Sequence, residues 1–197
     1  MTTALRQRWL RGAGNEAWWL RLAAAYSEPH RHYHTLAHLE HIFAEAARWE
    51  PLDQAVEWAI WFHDYVYDPR SSTNEADSAQ VAREALAELG ERAGVIDRTA
   101  ALILATRHGA GSCDGDDARL LVSLDLAILA AAPARYDEYA AQVRAEYAHV
   151  PEADFRRGRA DFMRRFLEQA VIYPDSRLAE YEKRARGNIE RALRGGG

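Results

Sequence analysis

The chain has 197 residues, 48% hydrophobic and 28% charged, with a formal net charge of −5 from 25 basic and 30 acidic side chains. At roughly 100–200 residues per domain this length predicts a single domain, and the 10% aromatic content excludes a disordered chain. No run of about 18 apolar residues occurs, the opening MTTALRQRWLRGAGNE lacks a signal-peptide core, and the lone Cys113 excludes an intramolecular disulfide framework or a thiolate zinc site. The expectation is a soluble cytoplasmic protein without membrane or duplex nucleic-acid partners, in which any metal is held by His and carboxylate.

Apolar residues recur every three to four positions and show none of the alternation of strands, so the chain reads as all-α. A first helix is expected from about Asn15 to Tyr26, broken at Ser27-Glu28-Pro29 because Pro29 disfavours helical geometry at Glu28. A second begins near Thr35, carries Leu39, Ile42, Ala46 and Trp49 on one stripe and ends before Pro51. A third, from Leu52, lines up Val56, Ala59, Ile60 and His63. Asp68 to Asn74 is a polar loop, followed by a helix through Ala76, Ala79, Ala82 and Leu86 that stops at Gly90. Val95 to His108 repeats the pattern, and Gly109 to Asp117 is a Gly-rich connector. Then Ala118, Leu121, Val122, Asp125, Ile128, Leu129 and Ala132 share a stripe ended by Pro133. Helices from Ala134 to about Ala148, Glu152 to Ile172 and Asp175 to Arg194 complete the chain. From Pro151 onward the formal charge is +3, against −8 before it, which fits either solvated helix faces or an Arg-lined wall that meets a phosphate.

Three sets of polar residues interrupt apolar stripes. Asp125 stands in VSLDLAILA where periodicity calls for Leu or Ala, and a buried carboxylate needs a cation, either an Arg such as Arg119 or Arg107 or a metal. His63-Asp64 ends the apolar helix WAIWFHDYVYD, where both side chains can turn toward one point and offer a neutral nitrogen beside an anionic oxygen. The segment EPHRHYHTLAHLEHI holds five of the eight His; His34, His38 and His41 lie along one side of a helix, and His30 and His32 fall outside it as surface or hydrogen-bonding residues. A His-rich run also binds metal adventitiously, which would leave Asp125 and His63-Asp64 unexplained.

In order, His38, then His63-Asp64 25 residues on, then Asp125 a further 61 after Asp64, resembles the HD superfamily of metal-dependent phosphohydrolases, whose signature is His, His-Asp and Asp on separate helices. HLEHI, FHDYVYD, NEADSAQVA, ILATRH and DDARLLVSLDLAIL are each similar to words of that family, covering about residues 33 to 129. With YSEPHRHYH ahead and GRADFMRRFL and ARGNIE behind, the set resembles a bacterial subgroup of HD phosphohydrolases. The resemblance implies a single-domain helical HD fold over 1–197, with the C-terminal helices of 134–194 packed on the signature core.

It further implies that His38, His63, Asp64 and Asp125 hold one divalent ion, manganese, magnesium, iron, cobalt or nickel, with Asp64 also acting in catalysis. Bound metal would acidify a water for attack on phosphorus. His34, one turn before His38, is a candidate phosphate ligand or proton donor, or a structural His; Asp68 and Glu75 are candidate carboxylates for the general acid. His108, Tyr67, Asn74 and Arg159 are candidate substrate contacts, with a helix cap as the alternative for Asn74, and ion pairs to the core as the alternative for Arg159, Arg165 and Arg186. Members of this fold with two metals carry two His between the His-Asp pair and the final Asp, whereas here only His108 lies in that interval. The expected activity is hydrolysis of a phosphate ester or anhydride of a small molecule, a nucleotide foremost; the alternatives are a di-iron oxygenase of the same fold or a non-catalytic nucleotide-binding sensor. The six Trp and nine Tyr leave room for a homodimer.

Overall fold

The computed structural model describes residues 2–12, 15–107 and 114–195. Among the described residues there are no strands. The described residues form ten α-helices: α1 (Thr2–Gly12), α2 (Glu16–Ala25), α3 (Leu36–Ala46), α4 (Gln54–Phe62), α5 (Asn74–Glu88), α6 (Ala93–Ala105), α7 (Asp116–Asp125), α8 (Pro133–Glu146), α9 (Glu152–Glu168) and α10 (Glu182–Gly195). Short 3-10 helices cover Ala47–Trp49, Leu126–Ala130 and Ser176–Tyr181. None of these helices is long and apolar enough to cross a membrane.

Side-chain caps set the starts of the helices that carry the site. Asn15 accepts from the Trp18 amide at 2.9 Å, Thr35 from Ala37 at 3.3 Å and Asp53 from Ala55 at 2.8 Å, each satisfying an amide that the first turn leaves free. Gly90 closes α5 with φ of 78°, a left-handed conformation that a Cβ would strain.

Several boundaries differ from the sequence reading, α9 ending at Glu168 instead of Ile172 among them. Helix α1 was not expected, because only Leu5 and Trp9, four residues apart among Arg and Gln, mark its apolar side; Trp9 is nonetheless 1% exposed. Its indole packs edge-on against Trp58 and Trp61 with centroids 5.5 and 5.4 Å away. The Asp125 stripe leaves α-geometry at Leu126 and continues as a 3-10 helix, and Pro133 opens α8, where its missing N–H costs nothing. The last helix is split, with Asp175 capping the Ser176–Tyr181 turn before α10 begins.

Helix α4 is the centre of the molecule. Seven of its nine residues are buried, as its packing against α3, α5, α6 and α7 requires. Helix α10 packs on α9 and on the Leu126–Ala130 turn, where Asn188 donates to the carbonyls of Leu129 and Ala131. Buried apolar residues from Leu5 to Ile189 belong to one core cluster. With α4 locked on every side, its C-terminal end is a rigid platform, and His63-Asp64 sits there.

Candidate metal centre

Three elements deliver four side chains to one point: α3 brings His38, the end of α4 brings His63 and Asp64, and the last residue of α7 is Asp125. His38 Nε2 lies 3.1 Å from His63 Nε2 and 3.1 Å from Asp125 Oδ1; His63 Nε2 lies 3.1 Å from Asp64 Oδ2 and 3.7 Å from Asp125 Oδ1. Asp64 Oδ2 is 3.6 Å from His38 Nε2. Both imidazoles are buried, whereas the two carboxylates keep some exposure. His38, His63 and Asp125 could hold a metal ion, since their ligand atoms all lie within 4.8 Å of one another; Asp64 stands outside that set.

The donor chemistry fits a divalent transition ion. Ligand atoms about 2.1 Å from an ion and at right angles to each other are about 3 Å apart, and three of the five separations above are 3.1 Å. His63 Nδ1 donates to the Ile60 carbonyl at 3.0 Å, which turns Nε2 toward the other three side chains. His38 Nδ1 is buried and has no hydrogen-bond partner, so nothing on that side competes for the ring. Burial holds the His38 pKa below its usual value. Burial also works against charge on His63, but Asp64 and Asp125 outweigh it and lift that pKa well above the ordinary range. Burial would raise the Asp64 carboxyl, yet the adjoining His63 and His34 bring it below the usual carboxylate range.

A second buried carboxylate stands beside this cluster. Glu146, on α8, accepts the backbone amides of His32, Tyr33 and His34 at 2.9, 2.7 and 2.9 Å, the His34 Nδ1 proton at 2.8 Å and the Tyr67 hydroxyl at 2.9 Å. Burial opposes its charge, but these donors hold its pKa at about 2. His34 is clamped between this hydrogen bond and the Tyr67 ring, stacked 4.1 Å away at 28°. Burial alone would lower the His34 pKa; the charge of Asp64 and the Glu146 bond reverse that and raise it. Arg31, its side chain fully enclosed, donates to the carbonyls of His34, Asp64 and Tyr65 and so ties the His34 loop to the end of α4. The Tyr26 hydroxyl holds the same end, donating to Trp61 O and accepting from the Asp64 amide.

These groups border a cavity of about 580 Å³ lined by His34, Asp64, Tyr67, Asn74, Glu75, Asp125 and Arg159 among others. Its further wall is apolar and aromatic, from Tyr147, Phe155, Phe162 and Phe166. Not every candidate from the sequence faces it. The Asp68 carboxylate is exposed and accepts the Arg70 amide, while Asn74 closes the 68–74 loop by bonding both the Asp68 amide and its carbonyl and caps no helix. Arg119 pairs with Asp116 and not with Asp125. Arg186 is taken up by Glu182 and the carbonyls at the end of α9. His30 is exposed and bonds the Tyr67 carbonyl, and His32 is exposed. His108 and Cys113 lie outside the described residues.

The sequence reading missed Glu146 and Arg31. The signal for Glu146 was present, since Tyr136, Tyr139, Val143 and Glu146 form the buried stripe of α8 at helical spacing, with the carboxylate in an apolar register as at Asp125. No protein-family model, curated protein or solved structure matches the chain.

Proposed function

We propose that the chain is a metal-dependent phosphohydrolase of the HD superfamily, cleaving a phosphate ester or anhydride of a small molecule, a nucleotide foremost, with one divalent ion on His38, His63, Asp64 and Asp125. The observation that carries this reading is the convergence of two imidazole nitrogens and two carboxylates, from three separate elements, on the wall of a ligand-sized cavity. Two carboxylates there would repel a phosphate unless a cation stood between them, so a phosphate-bearing substrate requires the metal.

A divalent ion at this position supplies an acidified water and a positive charge against the phosphoryl oxygens. The chain's own side chains do the rest. His63, fixed through Ile60, keeps its Nε2 aimed inward, and the loop anchored by Arg31 and Tyr26 holds Asp64 at a constant distance from it. His34, with Nδ1 bound to Glu146 and its ring backed by Tyr67, lines the cavity and serves in this reading as the proton donor for the leaving oxygen. Glu75 lines the same cavity and stands as a polar contact for the substrate, whereas Asp68 is engaged in its own loop.

The test is phosphate release from a nucleotide panel by the full chain equilibrated with manganese, with metal content measured for wild type, His63→Ala and Asp125→Ala. Turnover and a bound ion in the wild type, both lost in the variants, are expected. Metal retained by both variants overturns the ligand set; metal without phosphate release from any substrate overturns the hydrolase reading.

A further inference from the structure

Helix α9 carries five arginines, of which Arg165 is exposed and Arg159 alone lines the cavity. Arg156, Arg157 and Arg164 pair with Glu152, Asp154 and Asp161 on the exposed side of their own helix. Arg159 is half-buried in the cavity wall, and among the described residues no carboxylate pairs with it. Its Nη2 donates to the Tyr139 hydroxyl at 2.7 Å, and its guanidinium lies 5.1 and 5.8 Å from the ring centroids of Tyr139 and Phe162. Aromatic faces offset part of the cost of withdrawing a guanidinium from water, but they do not neutralise it, and most of its five donors are unspent.

The position of this cation gives it a second meaning. The Tyr139 ring lies 4.6 Å from Tyr33, and Tyr33 lies 4.9 Å from His38, so two rings separate Arg159 from the His/Asp centre. The cavity therefore has two unlike regions, one with imidazoles and carboxylates and one where Arg159 stands among Tyr147, Phe155 and Phe162, the carboxylate on that side, Asp154, being paired with Arg157. A substrate bearing only the phosphoryl group under attack would leave the second end unused.

We propose that Arg159 is a second anion subsite: the substrate carries, beyond the phosphoryl group at the His/Asp centre, a second oxyanion that Arg159 receives, with a planar or apolar body against Phe155 and Phe162. Carboxylate and phosphate share the geometry that a guanidinium fork reads. The inference rests on the phosphohydrolase reading, and it narrows the substrate class to bis-anionic phosphate esters.

The test is isothermal titration of the manganese-equilibrated full chain with three non-cleavable ligands: benzylphosphonate, 4-carboxybenzylphosphonate and p-xylylenediphosphonate. At least one bis-anion is expected to bind the wild type about 10-fold more tightly than benzylphosphonate, the size of effect that one charge-assisted contact gives. Which of the two gains more identifies the second group as carboxylate or phosphate. In Arg159→Gln the ratio falls to near unity, and in Arg159→Lys, which keeps the charge, a large part of it returns. Equal affinities in the wild type, or a preference that survives Arg159→Gln, overturns the subsite while benzylphosphonate binding leaves the phosphohydrolase reading standing. No binding of any phosphonate overturns both.

Discussion

Two carboxylate centres lie side by side in this molecule and are solvated in opposite ways. Glu146 is surrounded by donors the chain itself provides, three amides, an imidazole and a phenol. Asp64 and Asp125 face two imidazole nitrogens, one of which is turned inward by the bond to Ile60. The first arrangement completes itself, and its negative charge holds the protein together. The second brings nitrogen and oxygen donors together at a spacing that could hold a cation, which is the role the proposed function gives it. A buried acid on an apolar stripe is thus not a function in itself; the character of the atoms opposite it decides which kind it is.

The contrast is open to direct attack. Glu146→Ala would strand five donors in a buried place, and a loss of about 4 kcal/mol of folding stability is expected in urea denaturation. The acid response should come next in size. The Glu146 pKa is depressed from 4.5 to about 2, so its contribution is complete above the unfolded value and disappears as pH falls from about 5 toward 2. The stability gap between wild type and Glu146→Gln should therefore shrink by up to about 3 kcal/mol over that window. Tyr67→Phe removes one donor of the five and should cost about 1 kcal/mol, read from the same denaturation curves. Asp125→Asn should cost the metal-free chain less than Glu146→Ala, while abolishing metal retention in elemental analysis. A destabilisation by Asp125→Asn as large as that by Glu146→Ala would erase the distinction.

Much of this was legible in the sequence, for reasons that vary by residue. Asp125 was visible because VSLDLAILA is otherwise apolar, so one charged residue stands out. Glu146 occupies an equally buried register, but RAEYAH surrounds it with polar neighbours and the stripe loses contrast. Arg31 was hidden by the His on either side of it, although its enclosed guanidinium binds three carbonyls around the site. Helix α1 escaped because two large buried side chains are too sparse a pattern for periodicity, and only the aromatic contacts of Trp9 give them meaning. The loop role of Asp68 and Asn74 depends on a backbone turn that residue types alone do not fix.

The bond from His34 to Glu146 spans 112 residues of chain. All four side chains of the candidate metal centre have been synthesised by the time Asp125 emerges, yet the His34 ring gains its Glu146 partner only once α8 has been made and docked. Closing so long a span costs entropy before any of its contacts repay it, which places the event late in folding. The Glu146 bond that orients His34 is therefore added after all four side chains of the candidate metal centre are present in the chain.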